Sequence, residues 1–276
     1  MQESPGIRLL RWIVLFAALI IMLFPIYWMV NTALKPSTQV FESPPTFFST
    51  AWSLDAFFAL FESRPIGRYF LNSLVVAGGT TVLSVVLASF AAYGLTRFPV
   101  RIEPLIILAL LFIKMLPEAL LVVPFYQLIA DVRMLNSYLS LVLVYSSFAL
   151  PFAIWMLIGF FRVIPRDLDE AGIMDGASRL QTFWLVVLPL ARPGLVAVAM
   201  FTFLTAWNAY LWSLVLTTDP SMYVLPVGIA TLKGEYQVHW NELMAAAVIA
   251  IVPVLAIYTV LERYLVAGIT AGAVKG

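Results

Sequence analysis

The chain has 276 residues, of which 62% are hydrophobic and 11% charged, with a mean hydropathy of +0.97. A soluble domain carries about 25% charged residues, so this balance describes a membrane protein. A net charge of +1 offers no basic surplus for nucleic acid, and without cysteine there is no disulfide, thiolate metal site or cysteine nucleophile.

A helix needs about 20 apolar residues to cross a ~30 Å hydrocarbon core. Six runs qualify: Trp12–Val30, Tyr69–Thr96, Pro104–Ala130, Met134–Phe161, Pro193–Thr218 and Leu243–Leu261. The expected fold class is an all-α membrane protein with six transmembrane helices. It forms a single domain over 1–276, with no internal repeat or linker to divide it. The first run is followed by Asn31-Thr32-Ala33-Leu34-Lys35 without a small-x-small cleavage pattern, so it reads as a retained helix and not a signal peptide.

Basic residues set the expected direction. With the N-terminus inside, the cytoplasmic side holds Arg8, Arg11, Arg97, Arg101, Arg162, Arg166, Arg179, Arg192, Arg263 and Lys275. The outside holds Lys35, Arg64, Arg68, Arg133 and Lys233. The bias places both termini in the cytoplasm of a multi-pass cell (inner) membrane protein.

Between the first two spans, an external segment carries Phe41, Phe47, Phe48, Trp52, Phe57, Phe58 and Phe61, aromatics of the kind that anchor at lipid headgroups. The third run contains Lys114 and Glu118. Four residues apart, they share a face of a regular helix and can pair. Ionisable groups within a span are costly and face an interior or an aqueous path. An ion pair bracing the helix is the plainer reading. A position on a solute path, or a proton relay in a secondary transporter, is the sharper one, and Pro117 between them loosens the helix.

The cytoplasmic loop of about 162–192 is the most informative segment. Pro165 suits a helix start, and Asp167, Asp169 and Glu170 complement the positive end of the helix dipole. Asp175-Gly176 supplies a turn with positive φ. Ser178 and Gln181 have capping-box spacing for a second helix. On that helix Leu180, Phe183, Trp184, Val187 and Leu188 make one apolar face, and Pro189 ends it. Any polytopic protein can place such an amphipathic helix-turn-helix between spans; a DNA-binding one is disfavoured by its acidity.

The string Glu170-Ala171-Gly172, three positions, Gly176-Ala177, then Leu188-Pro189 resembles the EAA loop of permeases from binding-protein-dependent ABC importers. The resemblance implies a MetI-like permease fold, with this loop as the coupling element that docks on an ATPase. Glu170, Ala171, Gly172, Asp175, Gly176, Ala177, Leu188 and Pro189 would form that contact. Gly172 stands where the family often has alanine, at a helix cost of up to ~1 kcal/mol.

The likeness extends along the chain. Asn72-Ser73-Leu74, Ala206-Trp207-Asn208 and Leu225-Pro226-Val227-Gly228 are similar to the sugar branch, in particular the smaller (MalG-type) maltose permease subunit. The ending Gly268-Ile269-Thr270-Ala271-Gly272-Ala273-Val274-Lys275-Gly276 resembles that branch's tail, which reaches the ATPase dimer interface. Gly268, Thr270, Gly272 and Lys275 would contact the ATPase there, ordered by binding and not as a stable helix of their own. Glu262, where glutamine is expected, departs from the pattern. Asn72 and Asn208, like Lys114 and Glu118, are read as path-lining or helix-bracing positions.

The implied partners are a second permease, two ATPase subunits, membrane lipid and an extracytoplasmic sugar-binding protein. That protein would meet the external loop of 219–242 through Tyr236, His239 and Trp240. No lysine lies in a Walker A context, so ATP and Mg belong to the partner ATPase and this chain is expected to carry no cofactor. The lone His239 cannot build a two-histidine metal site and reads first as a surface group. A hydrolase lacks a nucleophile constellation. The resemblance therefore implies a transport subunit and not an enzyme, with a stand-alone secondary transporter using Lys114 and Glu118 as the rival.

Overall fold

The computed structural model describes residues 5–49, 51–233 and 238–273, and the side chains of 6–49, 51–233 and 238–262. Among these residues every regular element is helical; the β pairing is an isolated bridge between Lys233 and Val238. Four helices are long and apolar enough to cross a membrane: Gly6–Ala33, Ile66–Arg97, Tyr138–Val163 and Trp240–Glu262. Two bent helix pairs raise the possible number of spans to six.

The contacts divide the chain into two units. The first comprises Met1–Gly67 and Gly228–Val252. It contains α1 (Pro5–Ala33) and α2 (Asp55–Ser63). None of the apolar window of α1 is buried within the chain. Its Ala33 end is tied to the segment that follows. Asn31 Nδ2 donates to the Phe47 carbonyl at 2.9 Å, Tyr27 donates to the same oxygen, and Lys35 donates to the Thr46 carbonyl. Phe41, Phe47, Phe48, Trp52, Phe58 and Phe61 are exposed in this segment, and Phe57 is half-buried.

The second unit comprises Arg68–Val227 and Pro253–Gly276. Its elements begin with α3 (Ile66–Arg97), α4 (Glu103–Met115), α5 (Val122–Asp131) and α6 (Tyr138–Val163). They continue with α7 (Asp167–Met174), α8 (Arg179–Thr182), a wide π turn at Phe183–Val187, α9 (Leu188–Leu190), α10 (Arg192–Trp207) and α11 (Leu211–Leu216). α12 (Leu225–Ala230) and α13 (Trp240–Ala273) follow and belong to both units.

α6 is the pillar of this unit. The Ser137 hydroxyl caps it by accepting from the Ser140 amide, and it packs against α4, α10 and α11. One core gathers Leu157, Phe161, Phe183, Val187 and Val198; another gathers Leu141, Val144, Phe148, Trp212 and Leu216. Small residues set the spacing: a Cβ on Gly194 would stand 2.4 Å from the Phe160 ring.

Two of the six expected spans are not continuous. The run over 104–130 breaks at Leu116 and Pro117, both extended, and its halves meet at 91°. A proline disfavours helical backbone at the residue before it, here Leu116. Lys114 therefore lies in the last turn of α4 while Glu118 opens a 3₁₀ turn, Glu118–Leu121, so the two do not share one helix face. The run over 193–218 breaks after Trp207, where the Asn208 side chain donates to the Leu204 carbonyl at 2.9 Å. A second bend, of 79°, separates α9 from α10, so Pro189 lies within a helical turn and the change of direction falls at Ala191.

Candidate functional site

The loop over 162–192 folds as two short helices around a glycine turn. Asp167, Asp169 and Glu170 all lie in the first turn of α7. Gly176 takes φ of +89°, and the amides of Gly176 and Ala177 close onto the carbonyls of Ile173 and Gly172, both at 3.0 Å. Both capping-box bonds of the second helix are present: the Ser178 amide donates to Gln181 Oε1 at 2.8 Å, and the Gln181 amide to Ser178 Oγ at 3.3 Å. Gly172 has a packing reason. A Cβ there would lie 3.2 Å from Thr182 Oγ1, tight enough to force Thr182 to move.

Polar groups from the end of α3 hold the loop in place. Asp169, beyond complementing a helix dipole, is buried, and its carboxylate meets Arg97 Nε at 3.0 Å. The same guanidinium donates to the Ile164 carbonyl at 3.1 Å, and Arg166 donates to the Thr96 carbonyl at 2.7 Å. Arg179 lies over the Phe98 ring, 5.1 Å from its centroid. Tyr93 packs against Phe183 at 4.8 Å between ring centroids.

The expected apolar face of the second helix is divided. Phe183 and Val187 are buried and Leu188 is half-buried, whereas Leu180 and Trp184 are exposed. With Ile173, Met174 at 86% exposure and Leu185 at 72%, they form an outward apolar edge. Around it Glu170, Ala171, Asp175, Gly176 and Pro189 are exposed, and Gly172 and Ala177 are half-buried. The sequence marks this surface but not its anchor. As a sequence feature Arg97 is a topology signal only, and nothing local links it to Asp169.

At the opposite end of α3, Asn72 is fully committed. Its Nδ2 donates to the carbonyls of Ser221 and Tyr223 at 2.9 and 2.8 Å, and its Oδ1 accepts from the Tyr138 hydroxyl at 2.7 Å. Beside it, Ser73 Oγ accepts from the Leu225 amide at 2.7 Å. The Asn72-Ser73 and Leu225-Pro226 strings, remote in sequence, thus meet. Asn72 is a brace and Asn208 a helix cap. Glu118 accepts from Trp212 Nε1 at 3.0 Å.

His239 and Trp240 are exposed, with His239 Nδ1 4.0 Å from Glu242. Tyr236 and Lys275 lie outside the described residues. The backbone at Gly268, Thr270 and Gly272 continues α13, in place of the separate, partner-ordered tail expected. A helix already formed extends at far lower cost than a new one nucleates. Among the described residues, no cluster of three His, Asp or Glu side chains could hold a metal.

Four helices long and apolar enough to cross a membrane, or up to six if each bent pair is one span, mark a multi-pass membrane protein. The family described as binding-protein-dependent transport system inner membrane component matches residues 6–271, and the chain belongs to it. The chain is 33% identical over 279 residues to the sulfoquinovosyl glycerol transport system permease SmoH of Agrobacterium fabrum, covering 99% of this chain and 98% of that protein. It is 32% identical to the trehalose/maltose transport system permease MalG of Thermococcus litoralis, covering both chains fully. It is 35% identical to the diacetylchitobiose uptake permease DasC of Streptomyces coelicolor, covering 96% and 95%. A chain of a bacterial alginate ABC importer shares the fold, with a TM-score of 0.83, 20% identity and coverage of 96% and 99%.

Proposed function

We propose that this inner-membrane protein is the permease subunit of an ATP-driven carbohydrate importer, forming half of the translocation path and passing the work of a separate ATPase to it. The carrying observation is the 162–192 loop. Its inward side is fastened to α3 by the buried Arg97–Asp169 pair, while its outward side presents exposed Ile173, Met174, Leu180 and Leu185. An apolar edge rimmed by Glu170 and Asp175 suits a groove on a soluble partner. The stiff fastening lets a push on that edge reach α3 and, through Phe183 and Val187, the core around α6.

In this reading both termini and the loop are cytoplasmic, a second permease completes the path, and the end of α13 makes a lesser ATPase contact. His239 and Trp240 face an extracytoplasmic binding protein. ATP and Mg bind the partner ATPase.

Co-purification with the ATPase tests the proposal, followed by hydrolysis measured with trehalose, maltose and diacetylchitobiose in the presence of the binding protein. Sugar-stimulated hydrolysis is the expected result. Gly176→Val should abolish association or stimulation while leaving membrane insertion intact, because φ of +89° is closed to a β-branched residue. Normal transport by that variant would sink the coupling role. Sugar accumulation in vesicles driven by a proton gradient without any ATPase would overturn the importer reading.

A further inference from the structure

Two interruptions of helix meet within the second unit. α4 gives way at Leu116 and Pro117, and α10 gives way between Trp207 and Leu211. The bond from Trp212 Nε1 to Glu118 joins them. Irregular backbone within a membrane span is tolerated where protein buries it or where it lines a polar cavity. A cavity of about 160 Å³ lies here, its walls including Thr80, Glu118, Thr202, Thr205, Tyr210 and Trp212. One water needs only ~10–15 Å³ of such space.

The hydroxyls in the wall are unequal. Thr205 donates to the carbonyl four residues back, at 2.8 Å, the usual fate of a helical threonine. Thr80 and Thr202 are fully buried, and their hydroxyls have no hydrogen-bond partner. A buried hydroxyl without a partner is costly, so a pair of them facing one cavity calls for a guest that both donates and accepts. Glu118 adds a carboxylate, one oxygen of which serves Trp212. Exposed Tyr210 adds an aromatic surface.

We propose that this cavity is a subsite for a neutral, polyhydroxylated ring, a pyranose of the transported sugar. Glu118 accepts from adjacent ring hydroxyls, Thr80 and Thr202 exchange hydrogen bonds with others, and Tyr210 lies against the ring's apolar face. This subunit then touches the sugar directly. A carboxylate in a poorly polar wall repels a second one, so uronate sugars are disfavoured at this point. The proposal rests on the importer reading above.

The chain has no cysteine, so Thr205→Cys places its single thiol at the rim of the cavity. Maleimide labelling of this chain is followed in the complete importer, reconstituted with sister permease, ATPases and binding protein, during ATP hydrolysis. Trehalose, maltose, diacetylchitobiose and digalacturonate serve as probes. The neutral sugar that stimulates hydrolysis should slow labelling, and digalacturonate should not. Glu118→Gln keeps an oxygen for the Trp212 indole but drops the charge. It should weaken the protection about tenfold, the worth of one charge-assisted hydrogen bond, and narrow the discrimination against digalacturonate.

A sugar that stimulates hydrolysis yet leaves labelling unchanged overturns the subsite and leaves the importer reading standing. Absence of stimulation by every sugar overturns both. Should Thr205→Cys fail to assemble, the transport rate of the Glu118→Gln importer at saturating binding protein decides: a clear fall supports the subsite, and an unchanged rate overturns it.

Discussion

The two ends of α3 fasten loops by different chemistry. At the basic end, Arg97 and Asp169 form a buried ion pair, aided by Arg166 on the Thr96 carbonyl, and the loop they hold shows an apolar edge outward. At the opposite end, Asn72 and Ser73 hold the chain from Ser221 to Leu225 with neutral hydrogen bonds alone. A neutral clamp saturated by its own chain only has to stay shut. If the loop docks on an ATPase as proposed, the charged clamp beneath its edge has to resist a pull, which suits it, because parting buried opposite charges is far more costly than releasing one amide. On that proposal, one end of the helix transmits force and the other provides fixed closure.

Cutting the charged clamp should have the largest effect. Asp169→Leu leaves Arg97 buried without its partner and should cost about 3–5 kcal/mol, seen as a lowered unfolding midpoint in detergent. The double variant Arg97→Met/Asp169→Leu should regain most of that stability while losing sugar-stimulated hydrolysis. If it keeps full stimulation, the ion pair carries no load. Asn72→Ala should cost about 1–3 kcal/mol, since it strands the Ser221 and Tyr223 carbonyls, with coupling unaffected once the protein is folded. Equal loss of coupling in both clamps would erase the distinction between the ends.

Ser178→Ala removes the acceptor for the Gln181 amide and should cost about 1 kcal/mol, measured as faster amide exchange over 178–182 without change elsewhere. The smallest effect is expected at Asp219, beside the neutral clamp. Its carboxyl is held below the ordinary carboxylate range, first by the Ser221 amide and then by the Ser221 hydroxyl. A lowered folded value means that the turn is supported above the usual carboxylate pKa and loses that support as pH falls through the lowered one. Amide exchange at Ser221 should quicken only on that acid side; a flat profile would remove the carboxylate from the account.

What the sequence disclosed was local. The glycine turn at Gly176, the Ser178–Gln181 cap and the uninterrupted spans depend on residues within a few positions of one another, and each stands where it was expected. The partners that give the site its mechanics are far apart along the chain. Arg97 and Asp169 are separated by the whole of α4, α5 and α6, and the Trp212–Glu118 bond joins residues 94 apart. No periodicity encodes such pairings. The break at Leu116 was only half legible. Pro117 announced some loosening, yet hydropathy is blind to a 91° turn because both arms are equally apolar. Spacing alone therefore implies a common helix face for Lys114 and Glu118 that the folded chain lacks.

The bare flanks of α1 bear on how the chain is made. All 28 residues from Gly6 to Ala33 form one helix, about 42 Å long at ~1.5 Å per residue, and none of its apolar window is covered by the rest of the protein. Its backbone hydrogen bonds close internally, so lipid alone is an adequate solvent for it. Lying ahead of α6 and its neighbours in chain order, this helix can enter the bilayer and persist there before they exist. Assembly of the remaining spans is then a search in two dimensions around an anchor already set, with α1 contributing position and little packing energy.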